Sequence, residues 1–401
     1  MQNLYIIGAG MGHIEDLTEY AQKIIKKSDI VYGSARLFEQ YKLLNKNIYA
    51  PKYSEIEETL EKESSDNISL LVSGDVLFYS IAKKITEKFK DKYNIELVPG
   101  ISSMQYFLSA LKIINHNIKA VSVHGRNISP LGYVSYNEYT FMLTGGENNA
   151  GKIIREIYDA GLDYVYVYAG ENLHQENERI ISGNIKDMLD YQFESLTVLL
   201  IHNKEYVNAA NNLRDSDFIR GKAPMTKEDI RWLSACYLGI EEKDIVYDVG
   251  AGTGSCAVEF AGYASEGLIY AIEKEDDAFE LINTNKRNLK RFNVVGIKGT
   301  APEILHSLPA PDKVFIGGSS KTIKDIFKIV YDKNKFVKIT VTAITLETLA
   351  ASVEAFKDYN IEPDIVCINS AKSKKAGPYH MMMGNNPVYI ITGRLYNEEE
   401  S

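Results

Sequence analysis

Apolar positions in the second half of the chain fall into short β-branched runs separated by stretches with helical spacing. The runs occupy residues 245–249, 268–273, 294–298, 313–316, 336–342, 363–369 and 387–393. Strands that alternate with helices in this way usually form one parallel sheet with helices on both faces. The pattern therefore predicts a largely parallel sheet of seven strands in this half.

The first half begins with a short apolar run, Leu4 to Ile7, and further runs follow at 70–72, 97–98 and 121–123. A helix is predicted after the first run, with Leu17, Tyr20, Ala21, Ile24 and Ile25 on one face. Each later run ends in a loop rich in Gly, Ser, Pro or Asp. Loops beyond the carboxyl ends of strands in an open α/β sheet gather in one crevice, so these loops could converge on a single site.

Periodicity is lost between residues 203 and 223, where Asn, Asp and Arg accumulate. This predicts a domain at 1–202, a linker at 203–222 and a second domain at 223–401. Thr226 and Asp229 have the spacing of a capping box for a helix that carries Ile230, Leu233, Cys236 and Tyr237. The length of 401 residues also favours two domains.

The segment V-Y-D-V-G-A-G-T-G-S at 246–255 combines a strand, a glycine turn and a helix start. Such a turn presents unpaired backbone N–H groups at a helix N-terminus and predicts a nucleotide site. Glu273 ends the next strand, where a carboxylate can accept both ribose hydroxyls. Ser255 replaces the third glycine of a dinucleotide fingerprint, which argues against NAD, although an NAD-dependent enzyme stays an alternative at this point.

A second glycine turn, Gly8 to Gly12, follows the first strand. The next residues are His13-Ile14-Glu15-Asp16, and no helix begins immediately. The geometry that holds a phosphate at a helix N-terminus is therefore missing, and we expect a bare loop.

The composition and net charge of the chain limit the classes of function that it can have. A net charge of −9 and the absence of a basic stripe argue against a nucleic-acid partner. The three cysteines, Cys236, Cys256 and Cys367, lie in apolar patterns without metal-ligand spacing, so we expect buried free thiols and no metal site. No apolar run reaches transmembrane length and the N-terminus lacks a basic signal region, which predicts a cytoplasmic protein without a membrane partner.

D-V-G-A-G-T-G followed by Glu273 resembles the first two motifs of the Rossmann-like S-adenosylmethionine-dependent methyltransferases. With P-M-T-K-E-D-I-R, K-G-T-A-P-E-I-L and T-A-I-T-L-E-T-L, residues 223–401 resemble the decarboxylating C15-methyltransferases of corrin biosynthesis. The resemblance implies cofactor contacts from Thr226, Asp248, Gly250, Ala251, Gly252, Thr253, Gly254, Glu273, Thr300 and Ala301, with Asp248 near the methionine ammonium group. The loop after the fourth strand, with Gly317, Gly318, Ser319 and Lys321, would then meet the substrate. Lys324, Lys372, Lys374 and Lys375 are further candidates for holding its carboxylates.

The motifs S-G-D-V-L-F-Y-S, V-P-G-I-S-S, V-H-G-R, L-T-G-G-E-N and E-N-L-H-Q-E-N-E-R-I in the first half resemble the tetrapyrrole methylase family over residues 1–202, in particular its C5-methylating members. The family usually has Gly-Asp-Pro where this chain has Gly74-Asp75-Val76. The resemblance implies two α/β lobes that hold S-adenosylmethionine through Gly74, Asp75, Val76, Ser102, Ser103, Met142 and Leu143. Gly8, Gly10, His124 and Arg126 would contact the tetrapyrrole, with the Arg126 guanidinium suited to a carboxylate.

The combined expectation is an α/β protein with an N-terminal two-lobed tetrapyrrole methylase fold and a C-terminal seven-stranded Rossmann-like methyltransferase fold. It would be a bifunctional enzyme of cobalamin biosynthesis with one S-adenosylmethionine site per domain, a small-molecule tetrapyrrole substrate and a homo-oligomeric assembly. An alternative is that one half is catalytically silent and acts as a scaffold.

Overall fold

The computed structural model describes residues 2–114, 117–126, 128–317 and 321–395. A parallel five-stranded sheet forms the first lobe, in the order β3-β2-β4-β1-β5. Its strands are β1 (Gln2–Gly8), β2 (Ile30–Tyr32), β3 (Ile48–Tyr49), β4 (Asn67–Val72) and β5 (Tyr93–Val98). Its helices are α1 (Glu19–Lys27), α2 (Ala35–Tyr41), α3 (Ile56–Lys62), α4 (Ala82–Phe89) and α5 (Ser103–Leu111).

The second lobe is a mixed five-stranded sheet in the order β6-β7-β10-β8-β9. The strands are β6 (Ile118–Ser122), β7 (Tyr139–Leu143), β8 (Tyr166–Glu171), β9 (Arg179–Asn184) and β10 (Thr197–His202), and the helices are α6 (Leu131–Tyr136) and α7 (Ala150–Asp159). β6 and β7 are parallel, whereas β10 is antiparallel to both β7 and β8. The two-lobed prediction for the first half is confirmed.

The second half contains a seven-stranded sheet in the order β13-β12-β11-β14-β15-β19-β16. Its strands are β11 (Ile245–Val249), β12 (Leu268–Glu273), β13 (Val294–Lys298), β14 (Lys313–Gly317), β15 (Lys338–Ala343), β16 (Asp364–Ile368) and β19 (Val388–Gly393). The helices are α8 (Glu228–Leu238), α9 (Ser255–Tyr263), α10 (Asp276–Asn288), α11 (Ile323–Lys333) and α12 (Leu346–Lys357). β19 runs antiparallel to its two neighbours, and the predicted seven-stranded, largely parallel sheet is confirmed.

A two-stranded ribbon of β17 (Ala371–Ala376) and β18 (Tyr379–Gly384) was not predicted. All of its residues are exposed, including Tyr379 and three consecutive methionines. The alternation of apolar and polar residues that marks a half-buried strand is therefore absent from its sequence.

Three sequence-based predictions of local structure are wrong. Thr226 and Asp229 do not form a capping box, because α8 begins at Glu228 and its first N–H donates to Asp215 of the linker at 2.9 Å. Cys236 and Cys367 are exposed, and only Cys256 is a buried thiol. Tyr20 lies 54% exposed on α1, where its hydroxyl donates to Glu96 instead of packing in the core.

The predicted linker, residues 203–222, packs tightly against the C-terminal half of the chain. The fully buried Arg231 donates to the Leu213 carbonyl at 2.7 Å and to Glu259 at 3.2 Å. Arg291 donates to the carbonyl oxygens of Ala209 and Asn211 at 3.2 and 3.0 Å. Buried guanidinium groups of this kind are stable only when several acceptors satisfy them, so the linker is part of the folded structure.

The two halves also contact each other directly. The Tyr133 hydroxyl donates to Glu266 at 2.8 Å, and the Tyr136 hydroxyl donates to Asn293 Oδ1 at 2.7 Å. Phe292 of the second half is buried within a hydrophobic cluster otherwise formed by the second lobe of the first half. The domains therefore share a packed core at their junction.

Candidate cofactor and substrate sites

A cavity of about 1200 Å³ opens at the carboxyl ends of β11, β12, β14 and β15. Its wall includes the predicted residues Thr226, Asp248, Gly250, Ala251, Gly252, Glu273 and Gly317. This is the edge at which ligands bind in open α/β sheets, because the strand-end loops and the helix N-termini meet there.

The glycine turn between β11 and α9 forms the floor of this cavity. Gly250, Gly252 and Gly254 have φ values of 78, 55 and 76°, which favour glycine. A Cβ on Gly254 would come within 3.0 Å of Ile282, so this glycine lets α9 approach α10 closely. Among the described residues, a Cβ on Gly250 would meet only the Gly317 carbonyl, at 3.8 Å, and Gly250 lines the cavity.

Glu273 is held rigidly at the end of β12. Its Oε2 accepts the Gly252 N–H at 2.8 Å, and its Oε1 accepts the N–H groups of Lys274 and Glu275 at 2.8 and 3.0 Å. A carboxylate offers roughly four acceptor positions, so capacity for a ligand hydroxyl is left. The arrangement suits a ribose whose hydroxyls lie against the glycine turn.

Asp248 lies at the end of β11 and is only 1% exposed. Burial raises the pKa of Asp248 to about 7, a hydrogen bond from the Ala257 N–H opposes this rise, and the nearby charge of Glu273 adds to it. A buried carboxylate favours binding of a cation, because a nearby positive charge stabilises its ionised form. The cavity thus combines a site for ribose hydroxyls with a site for a positively charged group, and its residues fit S-adenosylmethionine.

Four other predicted cofactor residues lie outside the cavity wall: Thr253, Gly254, Thr300 and Ala301. Thr253 is buried, and its hydroxyl has no hydrogen-bond partner within the described part of the chain. Thr300 and Ala301 follow β13. Gly318 and Ser319, predicted to contact substrate, lie outside the described residues, and Lys321 is exposed.

Two candidate lysines are already engaged by carboxylates. Lys324 pairs with Glu354 at 3.3 Å and with Asp358 at 3.1 Å. Lys372 pairs with Glu228 at 2.5 Å, and this contact lowers the pKa of Glu228 to about 2. Neither ammonium group is therefore a ready partner for a substrate carboxylate.

The cavity also contains residues that sequence reasoning missed. Thr342, Thr345 and Thr348 line it from the end of β15 and the start of α12, and Asn385 and Asn386 line it from the base of the ribbon. The three threonines belong to the segment T-A-I-T-L-E-T, which was used only for the family resemblance. Its place at the end of a predicted strand was the signal that could have identified them.

Strand-end loops of the first lobe converge in a different way. Gly10 and Gly74 exchange backbone hydrogen bonds of 3.1 and 2.8 Å. A Cβ on Gly8 would lie 2.7 Å from the Gly100 nitrogen and 2.8 Å from the Gly74 carbonyl. The glycines at the ends of β1, β4 and β5 therefore allow three backbone segments to touch.

Asp75 and Val76 support this convergence. One oxygen of Asp75 accepts the Gly100 N–H at 2.9 Å, and the other accepts the Leu77 N–H at 2.9 Å. Val76, which replaces the usual family proline, is 4% exposed and packs in the core of the first lobe. Ser102 caps α5, and Ser102 and Ser103 come close to Gly74. The Gly74, Asp75 and Ser102 loops thus form one connected wall.

The remaining predicted residues of the first half lie on the second lobe. Met142 is fully buried and Leu143 is half-buried at the end of β7. His124 is exposed beside Gly145, where a Cβ would overlap its ring. The exposed Arg126 guanidinium lies 5.6 Å from the centre of the Tyr79 ring. Arg126 is therefore the better placed of the two for an anionic group of a ligand.

Two family models match this chain, one in each half. The family of tetrapyrrole (corrin/porphyrin) methylases matches residues 3–189, and the precorrin methyltransferase domain matches residues 217–393. The fold, the cavity and the two family matches define a methyltransferase, a class of enzyme that uses S-adenosylmethionine. They favour S-adenosylmethionine over NAD as the bound cofactor. More specifically, the chain belongs to the precorrin methyltransferase family.

Two relatives are each named as a probable cobalt-precorrin-6B C(15)-methyltransferase (decarboxylating). The protein from Pyrobaculum calidifontis is 35% identical over 190 residues, which are 46% of this chain and 96% of that protein. The protein from Saccharolobus solfataricus is 39% identical over 180 residues, 42% of this chain and 88% of that protein. A solved precorrin-6y C5,15-methyltransferase from Geobacter metallireducens is 34% identical, with a TM-score of 0.43, over 45% of this chain and 95% of that one.

Among the described residues, no helix is long and apolar enough to cross a membrane. Within the same ranges, no group of three His, Cys, Asp or Glu side chains is arranged to hold a metal ion.

Proposed function

We propose that this protein is a bifunctional S-adenosylmethionine-dependent methyltransferase of cobalamin biosynthesis. It methylates a precorrin-type tetrapyrrole at C5 and C15 and removes the carboxylate of a ring acetate. The observation that carries this proposal is the fusion of two unrelated α/β folds, each matched by a tetrapyrrole or precorrin methyltransferase family. The C15 position and the decarboxylation in this proposal come from the names of the relatives. The pairing of C5 with C15 comes from the name of a solved relative.

In this proposal residues 1–202 methylate C5, residues 203–222 connect the domains, and residues 223–401 methylate C15 and release carbon dioxide. Each domain has its own S-adenosylmethionine site. Support for the second site comes from Asp248 and Glu273, which present a buried acceptor and a fixed carboxylate beside the open face of Gly250. Support for the first comes from the connected loops at Gly74, Asp75 and Ser102.

The bound donor supplies a methyl group on a sulfonium. Transfer to an electron-rich ring carbon needs alignment more than acid catalysis, so the protein's main task is to orient the macrocycle. Decarboxylation leaves an electron pair that the conjugated macrocycle can accept. The protein contributes by holding the other ring carboxylates and leaving the departing one poorly solvated.

Exposed lysines of the C-terminal half are candidates for holding those carboxylates. Because Lys324 and Lys372 are engaged by acidic side chains, the proposal rests on Lys321, Lys374 and Lys375, all of which are exposed. A flat polycarboxylate would lie between Lys321 and the β17–β18 ribbon, with Asn385 and Asn386 at its base.

A homo-oligomer is part of the proposal. Tyr379, Met381 and Met383 alternate along β18 and so share one of its faces, where they are 73%, 55% and 50% exposed. A contiguous exposed apolar surface of this kind usually marks a protein–protein contact. A second copy of the chain is the simplest partner for it.

Product mass analysis of the intact protein with trimethylated to hexamethylated precorrin intermediates tests the activity. We expect two methyl additions and the loss of one carbon dioxide. Calorimetry with S-adenosylhomocysteine should give two sites per chain. A stoichiometry of one would mean that one half is a silent scaffold, and binding of NAD in place of S-adenosylhomocysteine would contradict the proposal.

A further inference from the structure

Three aromatic rings are stacked where the two lobes of the first half meet. The His174 ring lies 4.4 Å from the His13 ring and 5.1 Å from the Tyr106 ring, and both pairs are nearly parallel. His13 comes from the loop after β1, Tyr106 from α5 and His174 from the loop after β8. The stack fixes the plane of the His174 imidazole.

Asp16 fixes the rotation of the His174 imidazole within that plane. The Asp16 carboxylate is buried, and its Oδ2 accepts the N–H groups of Met11 and His13 at 2.9 and 3.3 Å. Its Oδ1 lies 2.8 Å from His174 Nδ1. A carboxylate that already accepts two hydrogen bonds is an acceptor toward the imidazole as well, so Nδ1 carries the hydrogen and Nε2 carries the lone pair. The side chain of His174 is 32% exposed, and within the described part of the chain its one side-chain hydrogen bond is made by Nδ1.

The loop that carries His174 is held in a strained form. His174 has φ of 58°, in the left-handed region that non-glycine residues seldom adopt. Its N–H donates to Glu178 Oε2 at 2.5 Å, and the Tyr106 hydroxyl donates to the same oxygen at 2.7 Å. Backbone strain that neighbouring groups enforce in this way is common at functional sites.

Asp16 and His174 lie at the edge of the two sheets where a reactive group of the first half is expected. β1 ends in the same glycine loops that join Gly10, Gly74 and Gly100. β8 is antiparallel to β10, which is antiparallel to β7, so β7 and β8 end at the same edge of the second sheet. The hydrogen bond between Asp16 and His174 thus joins the carboxyl edges of both lobes, where an α/β protein binds its ligand.

We propose that His174 Nε2, oriented by Asp16, accepts the proton that the macrocycle releases on methylation at C5. This inference rests on the proposed C5 activity of the first half. When a methyl group replaces hydrogen on the ring carbon, a C–C bond forms and the sulfonium C–S bond breaks, its electron pair staying with sulfur. The ring C–H bond then returns its electrons to the conjugated system, and its proton passes to Nε2. His174 is the catalytic residue in this step, and Asp16 is a positioning residue.

The test uses the full chain and follows methylation at C5 and C15 separately. His174→Asn keeps a residue that tolerates the left-handed backbone, and His174→Gly leaves a gap between the His13 and Tyr106 rings that free imidazole can fill. Loss of a general base lowers kcat by about 10²- to 10⁴-fold. We expect that loss at C5 in both variants, unchanged C15 methylation, and recovery of C5 methylation by imidazole in His174→Gly. Asp16→Asn should lower kcat at C5 less than His174→Asn does.

His202→Asn is the matched control. His202 is stacked on Tyr139 at 4.3 Å and lies 3.8 Å from Glu138, but it is at the opposite edge of the same sheet. Its replacement should leave kcat at C5 unchanged. Absorbance titration with the tetrapyrrole alone, and calorimetry with S-adenosylhomocysteine, should give wild-type affinities for His174→Asn.

Three outcomes would overturn the inference. The first is an unchanged kcat at C5 in His174→Asn, and the second is a weaker tetrapyrrole affinity with unchanged kcat, which would make His174 a binding residue. The third is a loss of C5 methylation in His174→Gly that imidazole does not restore while both ligands still bind. Failure of the proposed function looks different, because the wild-type chain itself would then not methylate C5.

Discussion

The two glycine turns differ by one residue in sequence and by their whole setting in structure. Residues 8–12 have the sequence G-A-G-M-G, and residues 250–254 have the sequence G-A-G-T-G. The first turn leads into a short 3-10 turn, Ile14–Asp16, and α1 begins only at Glu19. The second leads directly into α9 at Ser255. Only the second turn therefore presents a helix N-terminus to a ligand.

The atoms around Gly8 and Gly250 show why each turn needs glycine. A side chain on Gly8 would overlap the backbones of Gly74 and Gly100, whereas one on Gly250 would have no atom of the described residues closer than 3.8 Å. Glycine in the first turn permits backbones to touch, and glycine in the second keeps a cavity open. The same five-residue pattern thus serves packing in one half and ligand approach in the other.

Gly8→Ala should have the largest effect on stability. Its Cβ would lie within 2.9 Å of three backbone atoms, which cannot move as a side chain could. We expect a loss of about 3 kcal/mol in the free energy of unfolding, at the upper end for overpacking. Gly250→Ala is the matched variant, and it should lose cofactor binding at the second site with a smaller loss of stability. Denaturant titration of both variants checks the order, and the reverse order would contradict this assignment.

Glu273→Ala should selectively disable the second half. Loss of a charged hydrogen bond costs about 1.5–3 kcal/mol, roughly ten- to over a hundredfold in affinity. Calorimetry should then detect only the first site, with C15 methylation and carbon dioxide release lost together. Glu273→Gln keeps an acceptor for the Gly252 N–H and separates the role of charge from that of loop support. An equal fall of C5 and C15 methylation at saturating donor would show that the halves are not separable.

Asp248 should make the second site sensitive to pH and leave the first site unaffected. Its pKa is raised from 3.8 to about 7, so the carboxyl group becomes neutral as the pH falls through 7. Affinity for S-adenosylhomocysteine at the second site should then decrease, by at most about tenfold per pH unit. The pH dependence of folding stability has the opposite sign. A raised carboxyl pKa stabilises the folded state fully below about pH 4, and this stabilisation is lost as the pH rises through 7. Asp248→Asn should raise Tm at pH 8 while abolishing binding at this site, and a lower Tm would contradict the argument.

Tyr136→Phe should have the smallest effect and tests how far the halves unfold together. The variant removes hydrogen bonds to Asn293 Oδ1 and to the Ala261 carbonyl, at 2.7 and 2.8 Å. We expect a loss of about 1 kcal/mol and a single calorimetric transition. Tyr139→Phe, at the far edge of the second lobe, is a control that does not affect the junction. Two separate transitions in the wild type would show that the shared core does not couple the halves.

The strands of the second half could be predicted closely because β-branched runs and intervening helices leave a strong local signal. Contacts between residues that are far apart in the sequence left no such local signal. The capping box failed because Asp215, supplied by the linker, takes the place that Thr226 was predicted to fill. Asp16 and His174 are 158 residues apart, so no local pattern could join them, although His174 lies in a motif used for the resemblance. The pairing of Lys324 with residues of another helix was hidden for the same reason.

Phe292 has a consequence for how the enzyme turns over. Its ring comes from the second half and is buried among Val134, Leu162 and other residues of the first. A hinge rotation of one half against the other would expose this ring and cost about 2 kcal/mol or more of buried apolar surface. Loop movements within each half are therefore a less costly route for donor exchange at the proposed sites than rotation of the halves. If each half carries one of the two proposed reactions, each reaction has its own route for donor exchange, and the slower exchange limits the rate of the pair.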